Sequence, residues 1–181
     1  KFSNLTINGI TVDAGQGEEA YAAALLGVTY GDVVVENVVV KNATIKGTNK
    51  VGGLIGSVMQ NSIVVKKSGV VESTIETYDV AEESGLAGGL IGYISCVEEA
   101  KLAAASTIEE CYVKNTTLNV INSRKDNNRA NSEFIGGIGG DDGDIIYLDK
   151  NKVENVTLSD NDTTPLYEGL IGGTRGRFTV C

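Results

Sequence analysis

Two short motifs alternate along this chain of 181 residues, and each occurs five times. The first is an apolar pair followed by glycine, and it lies at Leu25-Leu26-Gly27, Leu54-Ile55-Gly56, Leu90-Ile91-Gly92, Phe134-Ile135-Gly136 and Leu170-Ile171-Gly172. The second has six residues, as in VKNATI, and its copies are read as starting at Phe2, Val40, Val70, Val113 and Val153. Repeats spaced about 30 to 44 residues apart indicate an architecture in which each repeat buries its apolar face against its neighbours.

The six-residue motif has the chemistry of a corner followed by a strand. Its third position holds Asn4, Asn42, Asn115 and Asn155, with Glu72 as the exception. Asparagine tolerates the left-handed backbone conformation and bonds its own backbone, so we expect a bend at this position. The positions that follow alternate and are rich in β-branched residues, which predicts a strand whose threonine faces outward.

These features predict an all-β fold, a right-handed parallel β-helix (β-solenoid) of about five coils, in a single domain spanning 1–181. Stacking strands about 4.8 Å apart completes their hydrogen bonds, and parallel crossovers are almost always right-handed. We interpret the domain as a fragment or module of a longer surface protein. The longest excursions between motifs are predicted at NGITVDAGQGEEAYA, EAKLAAAST, NVINSRKDNNRANSE and GGDDGDIIYLDKNK.

The glycines of the first motif favour a scaffold role over a ligand role. A phosphate-binding loop would need a single site, a helix start and a suitably placed lysine or hydroxyl, whereas this motif recurs five times. We expect the glycines to supply positive φ and room for close stacking. Leu54 and Ile55 are adjacent and both apolar, which leaves two alternatives: a bulge turns one inward, or an apolar ridge is exposed.

The threonine of the second motif predicts an outward column made of Thr6, Thr44, Thr74, Thr117 and Thr157. A flat, regular threonine array resembles the surface of ice-binding solenoids. The next outward column argues against that function, because it is a mixed charged row made of Asn8, Lys46, Glu76, Asn119 and Ser159. We therefore interpret the threonine column as a solvated strand face.

Composition excludes several classes of function. The net charge is −9 and the sequence has no lysine or arginine cluster, so no nucleic-acid partner is expected. No apolar run reaches the roughly 20 residues that cross a bilayer, so no membrane insertion is expected either. The absence of histidine removes Ser-His and Cys-His nucleophilic pairs and the commonest zinc ligand. The absence of tryptophan excludes a sugar site built on a stacked indole.

Four glycine-rich stretches, each paired with a strand of the VxNxT type, are VGGLIG, AGGLIGYI, EFIGGIGG and EGLIGG. On these stretches the chain resembles the GLUG-repeat proteins, a family of bacterial surface and adhesin-like proteins of gut Bacteroidetes that also occurs in cell-wall proteases. The resemblance covers nearly the whole chain, although Leu25-Leu26-Gly27 lacks the preceding glycines and Phe134 replaces leucine. It implies a bacterial surface β-solenoid and brings no catalytic or ligand residue with it.

One acidic stretch, GGDDGDIIYLD, is a calcium candidate through Asp141, Asp142 and Asp144 with backbone carbonyls. It lacks EF-hand spacing, and Asp-Gly turns alone account for such a composition, so a plain turn is the other interpretation. No cofactor other than calcium is expected.

Three cysteines, Cys96, Cys111 and Cys181, show no metal-binding spacing and allow at most one disulfide. A Cys96–Cys111 pair is one candidate. Cys111 aligns with Val38, which predicts an inward, apolar role for its side chain.

The function predicted from these features is recognition rather than catalysis. We expect a non-catalytic, adhesin-like or scaffold module, exported to the cell surface, that binds a surface glycan or a host or matrix protein through corner loops or one lateral face. The alternative is a polysaccharide lyase or hydrolase on a β-helix, because a catalytic carboxylate pair needs no histidine. Uncovered terminal coils also predict end-to-end or edge association.

Overall fold

The computed structural model describes residues 1–17, 20–59, 62–78, 85–96, 106–121, 131–140, 144–160, 170–175 and 178–180. Every regular element in these ranges is a β-strand, and the strands pair in parallel. The prediction of an all-β fold built from parallel strands is therefore confirmed. Within the same ranges no helix is long and apolar enough to span a bilayer.

The strands follow one another in repeats that match the sequence motifs. The first repeat contains β1 (Phe2–Asn8), β2 (Thr11–Asp13) and β3 (Leu26–Thr29). The second contains β4 (Val33–Lys41), β5 (Thr44–Gly47), β6 (Lys50–Gly52) and β7 (Ile55–Met59). The third contains β8 (Ile63–Lys66), β9 (Gly69–Val71), β10 (Thr74–Thr77), β11 (Leu86–Gly88) and β12 (Ile91–Cys96).

The later repeats keep the same order. The fourth contains β13 (Ser106–Glu109), β14 (Tyr112–Lys114), β15 (Thr117–Val120), β16 (Asn131–Ser132) and β17 (Ile135–Gly140). The fifth contains β18 (Asp144–Asp149), β19 (Lys152–Glu154), β20 (Thr157–Asp160) and β21 (Ile171–Arg175), and β22 (Phe178–Val180) follows it.

Three of the predicted excursions contain strands instead. The stretch NGITVDAGQGEEAYA includes β2, NVINSRKDNNRANSE includes β16, and GGDDGDIIYLDKNK includes β18. At β2 and β18 short runs of β-branched and other apolar residues continue a sheet that the neighbouring repeat has already started, so backbone pairing outweighs the turn-forming residues around them.

Equivalent strands of successive repeats pair with each other and form four sheets. Sheet A has β1 on one side of β4 and two rows on the other, β8-β13-β18-β22 and β9-β14-β19. Sheet B is β2-β5-β10-β15-β20, sheet C is β6-β11-β16, and sheet D is β3-β7-β12-β17-β21. Because neighbours in each sheet come from consecutive repeats, each repeat advances the stack by one strand spacing, about 4.8 Å.

The apolar side chains on the inner faces of the sheets form one continuous core. Its members stack in columns that run through the repeats, and each fully buried aliphatic side chain contributes roughly 1.5–3 kcal/mol. The central columns, all fully buried, are Val40, Val70 and Val113 in sheet A, Ile45, Ile75 and Leu118 in sheet B, and Ile55, Ile91 and Ile135 in sheet D.

The register of the first repeat differs from the predicted alignment. Thr6 pairs with Val39, and Thr44 pairs with Thr11 instead. The placement of Thr6 and Asn8 in the outward columns was wrong by one strand, because FSNLTI is β1 of sheet A and the true counterpart of VKNATI begins at Ile7. The observed threonine column is Thr11, Thr44, Thr74, Thr117 and Thr157, and the observed mixed row is Asp13, Lys46, Glu76, Asn119 and Ser159.

Each repeat turns at two corners that hold a residue in the left-handed conformation. The first corner lies within sheet A, with φ between 50° and 56° at Asn4, Asn37, Lys67, Glu110 and Lys150. The second joins sheets A and B, with positive φ at Gly9, Asn42, Glu72, Asn115 and Asn155. The bend predicted at the asparagines is confirmed, and Glu72 bends in the same way. Asn4 belongs to the first corner. Because both corners favour residues such as asparagine, the sequence motif at Asn4 was aligned with the second corners of the other repeats.

The apolar pair of the first motif sits at a bulge. Leu54 and Ile55 are both fully buried, and their two N–H groups donate to the same carbonyl, that of Leu90, at 2.9 and 3.2 Å. Leu90 and Ile91 repeat this arrangement on the carbonyl of Phe134. Of the two alternatives left open by the sequence, the bulge is therefore the correct one in the central repeats.

The glycines of this motif allow close stacking without positive φ. A Cβ added to Gly92 would lie 2.5 Å from the carbonyl oxygen of Gly56 and 2.8 Å from the backbone nitrogen of Val51. Among the described glycines, positive φ occurs at Gly9 and Gly15, neither of which belongs to the motif. The expected room for stacking is confirmed, and the expected positive φ is wrong because the bulge makes the bend with ordinary backbone.

Candidate functional site

A shallow, open groove of about 740 Å³ follows the first corner through the fourth and fifth repeats. Its lining residues are Glu110, Cys111, Tyr112, Lys114, Lys150, Asn151 and Lys152. Three lysines, one tyrosine and one asparagine thus meet on a chain whose net charge is −9. Among the described surfaces, this gathering of three ammonium groups beside an aromatic ring makes the groove the best candidate site for a ligand.

The two left-handed corner residues, Glu110 and Lys150, hold the groove in shape. Glu110 separates β13 from β14, and Lys150 separates β18 from β19. The strands after the corner pair in register, which places Tyr112 directly beside Lys152. A corner repeated in adjacent, hydrogen-bonded strands has little freedom, so the groove is formed before any ligand arrives.

Asn151 fastens the fifth repeat to the fourth beneath the groove. Its Oδ1 accepts a hydrogen bond from the N–H of Cys111 at 2.9 Å, and its Nδ2 donates to the carbonyl of Ile108 at 2.8 Å. The two bonds span 40 and 43 residues of sequence and satisfy backbone groups that the corner removes from the strand ladder. The amide of Asn151 is therefore a structural part of the groove floor.

The ring of Tyr112 lies over Gly69 of the third repeat. A Cβ at Gly69 would come within 2.5 Å of ring atom Cδ2, so the glycine leaves the space that the ring fills. The Nζ of Lys114 is 5.9 Å from the centre of the same ring. The ring thus has a fixed position with one cation nearby, which is a weak cation–π arrangement at an exposed site.

The lysines of the groove differ in how they are paired. Lys114 Nζ lies 2.8 Å from Glu154 Oε2, and Lys150 Nζ lies 2.9 Å from Asp149 Oδ2. Hydrogen bonds to these carboxylates raise the pKa of both lysines, so both are charged at neutral pH. The side chain of Lys152 is exposed and makes no hydrogen bond or salt bridge with the part of the chain that the structure describes. It is the ammonium group most available to a ligand.

Cys111 is buried below the groove with a free thiol. Its sulfur lies 3.3 Å from the carbonyl oxygen of Glu109 and 3.5 Å from that of Val65. Burial raises the pKa of the thiol from 9.0 to about 11, so the thiol is neutral and is a poor nucleophile at physiological pH. The inward role predicted for Cys111 is confirmed, and the candidate Cys96–Cys111 disulfide is not formed.

The outer face of sheet B carries the second polar surface. Lys46 Nζ lies 3.6 Å from Glu76 Oε2, and Asn119 donates to Glu76 Oε1 at 3.0 Å. At the end of the row the hydroxyl of Tyr78 donates to Asp13 at 2.7 Å, a bond that lowers the pKa of Asp13 and raises that of Tyr78. The predicted mixed row is confirmed from Lys46 onward, and its groups largely satisfy one another.

The structure describes only one of the three predicted calcium ligands. Asp141 and Asp142 fall outside the described residues, and Asp144 is the first residue of β18, where its backbone pairs with Phe178. Within the described ranges no group of three or more acidic, cysteine or histidine residues is placed to hold a metal ion. Calcium binding at this stretch therefore stays a prediction.

The groove residues were not predicted from the sequence as a site. Lys114 is far from Lys150 and Lys152 along the chain, so no basic cluster is visible in the linear sequence. The signal that could have found them is the repeat itself: aligning Val113 with Val153 places Tyr112 beside Lys152 and Lys114 beside Glu154. Residues that are distant in sequence meet because the strands stack in register.

Comparison of the chain with protein-family models, with curated proteins and with solved structures found no match.

Proposed function

We propose that this chain is a right-handed parallel β-helix of about five coils that serves as a non-catalytic, adhesin-like recognition module at the cell surface. We further propose that it binds glycans carrying carboxylate or sulfate groups in the groove defined above. The observation that carries the proposal is the meeting of Lys114, Lys150 and Lys152 beside the fixed ring of Tyr112. The GLUG-type motifs support a location at the cell surface. Calcium binding at the acidic stretch of Asp141, Asp142 and Asp144 is also part of the proposal.

The chemistry of the groove favours an acidic sugar. Lysine ammonium groups are mobile point charges that adapt to carboxylate or sulfate oxygens, and an aromatic face offers an apolar surface to a sugar ring. The pairs of Lys114 with Glu154 and of Lys150 with Asp149 are exposed to solvent, where ion pairs contribute little to stability, so a ligand oxyanion can replace either carboxylate at low cost.

The net charge of the whole molecule limits which acidic glycans are suitable ligands. A net charge of −9 repels long, dense polyanions, whereas an isolated acidic sugar within a largely neutral chain meets only the local lysines. The proposed ligand is therefore a glycan with sparse acidic residues. A single groove of this size binds weakly, and many copies on one surface raise the overall avidity.

Binding to an oligosaccharide array tests the proposal. We expect binding to glycans that contain uronic acid, sialic acid or sulfate and little binding to their neutral counterparts. K150Q/K152Q removes two groove charges and should weaken binding at least tenfold. The matched control K41Q/K67Q makes the same charge change at one strand lysine and one left-handed corner lysine outside the groove, and should bind like the wild type.

Three outcomes would contradict the proposed ligand: preferential binding to neutral glycans, equal losses in both double variants, or binding to host proteins alone. The enzymatic alternative is tested in the same experiment by measuring new reducing ends and unsaturated products after incubation. Glu110 is the one carboxylate in the lining of the groove, whereas glycoside hydrolysis ordinarily needs two. Turnover of a bound glycan would replace recognition with catalysis as the function.

A further inference from the structure

The carboxylate of Glu110 is the acidic group in the lining of the groove. Its side chain is exposed and makes no hydrogen bond or salt bridge within the described residues. Two lysines lie close enough to feel its charge, but each is bonded to another carboxylate. Lys66 Nζ lies 2.7 Å from Glu109 Oε2, and Lys150 Nζ lies 2.9 Å from Asp149 Oδ2. The carboxylate of Glu110 is therefore available to a ligand.

The backbone places this carboxylate inside the stack. Glu110 lies at the first corner with a φ of 54°, and its N–H donates to the carbonyl of Asp149 at 2.9 Å. The equivalent corner residues are Lys67 in the third repeat and Lys150 in the fifth, so described repeats flank Glu110 on both sides. Its position thus depends on neither end of the stack, and an ordered corner keeps the entropy cost of binding small.

The charges at the groove balance when the ion pairs are counted. Three lysines line the groove, and Glu154 and Asp149 pair with two of them. With Glu110 the carboxylates also number three, so in the described part of the chain the pairs leave one ammonium group, on Lys152, and one carboxylate, on Glu110. Tyr112 follows Glu110 by two residues and pairs with Lys152. The groove therefore presents one unpaired group of each sign around the same tyrosine.

A ligand with anionic groups alone does not match this arrangement. Such a ligand brings a like charge towards Glu110 and leaves that carboxylate without a partner, which lowers the affinity. A protonated amine on the ligand would instead donate a charge-assisted hydrogen bond to Glu110. Two residues of chain span at most about 7 Å, a distance that substituents on one sugar or on two neighbouring sugars can bridge.

We propose that Glu110 binds a free amino group of the ligand, so that the groove selects glycans in which an amino sugar without an N-acetyl group adjoins the acidic sugar. This inference rests on the proposed function: it keeps the acidic group of the ligand and adds a positive one. Acetylation of an amine removes its charge, so the N-acetylated form of the same glycan loses the contact with Glu110.

Calorimetric titration compares two forms of one probe, a tetrasaccharide of alternating glucuronic acid and glucosamine with either free or N-acetylated amines. The wild type should bind the free-amine form about fivefold more tightly, the ratio that one exposed ion pair supplies at its upper limit. E110Q should bind the two forms equally. The matched control E72Q changes an exposed glutamate at a left-handed corner outside the groove and should keep the preference.

Reversing the charge gives a second test. Lysine already occupies the equivalent corner at Lys67 and Lys150, so E110K should fold, which circular dichroism checks. E110K should prefer the N-acetylated form, and E72K should behave like the wild type. Equal binding of both forms by the wild type, or equal changes in the Glu110 and Glu72 variants, would overturn the role of Glu110 and leave the acidic-glycan proposal standing. Failure to bind any acidic glycan would overturn both.

Discussion

Glu72 occupies a backbone conformation that asparagine and glycine adopt at the equivalent corners of other repeats. Its φ is 51°, and the positions above and below it in the stack are Asn115 and Asn42. The left-handed conformation costs an ordinary residue roughly 1–2 kcal/mol, and less for asparagine, whose short side chain bonds locally. Among the second corners of the repeats, Glu72 is therefore the one residue that is poorly suited to its backbone conformation.

E72N is expected to raise the free energy of unfolding by about 0.5–1 kcal/mol, because it relieves this conformational cost without disturbing an exposed side chain. Urea denaturation measures the change. E72Q is the control, since it removes the same charge and keeps an unbranched side chain with no preference for the corner. A gain of equal size in E72Q would assign the effect to charge rather than to backbone conformation.

Cys111 gives the molecule a pH-dependent element of stability. The thiol has an ordinary pKa of 9.0, and burial raises it to about 11 in the folded chain. The folded state holds this proton more tightly than the unfolded state, so the contribution is complete below pH 9 and is lost as the pH rises towards 11. A displacement of this size corresponds to about 2–3 kcal/mol.

Replacing Cys111 with valine should remove this dependence. The variant C111V carries the residue type that Val38 supplies in the same column, and its free energy of unfolding should fall less than that of the wild type between pH 9 and pH 11. Urea denaturation at stepped pH values gives both curves. Parallel curves for the two proteins would show that the thiol does not titrate differently on folding.

At the scale of the strands, close stacking at the glycines sets the distance between sheets. Gly92 is surrounded by the backbone of Gly56 and Val51, which cannot move without breaking the ladder of the second repeat. Gly85 is also buried, but a Cβ there would find its nearest neighbours at 3.5 Å, an ordinary contact. The two positions therefore make a matched pair.

G92A is expected to destabilise the fold by about 2–3 kcal/mol or more through overpacking, whereas G85A should change stability by less than about 1 kcal/mol. Thermal and urea unfolding of the two variants measure the difference. Similar losses at both sites would mean that the intrinsic backbone preference of alanine, and not contact with the neighbouring repeat, determines the change in stability.

The strands also explain which sequence inferences succeeded. The alternation in VKNATI was sufficient to place Ile45, Ile75 and Leu118 inside, because a strand with one buried face has only one compatible register. The same alternation gave the wrong alignment in the first repeat. Asn4 and Gly9 each lie at a corner, and the short motif can be aligned with either of them. The groove was missed for a different reason: Lys114 and Lys152 meet only through pairing between repeats, a relation that no local window of sequence contains.

At the scale of the whole molecule, stability should decline from the middle of the stack to its ends. Strands β4, β9 and β14 have partners on both sides and fully buried inner residues, whereas β1 has one partner among the described strands and exposed apolar side chains. In a stack of this kind each repeat is stabilised mainly by its immediate neighbours.

Hydrogen exchange should therefore be slowest in β5, β10 and β15 and fastest in β1 and β2. Mass spectrometry of proteolytic fragments resolves these strands. Uniform protection across the stack would instead indicate a single cooperative unit whose end repeats are as stable as its centre.

The edge at which sheet B ends determines where the chain tolerates new material. The segments that follow the strands of sheet B in the second to fifth repeats vary widely in length, as residues 48–49, 78–85, 121–130 and 161–170, while the two left-handed corners keep a constant length. The strands before these segments end at Gly47, Thr77, Val120 and Asp160, which stack one strand spacing, about 4.8 Å, apart on one side of the scaffold. Peptides grafted there would be displayed in a row along the stack. The distance between two such peptides would be set by the number of repeats between them rather than by the length of a linker.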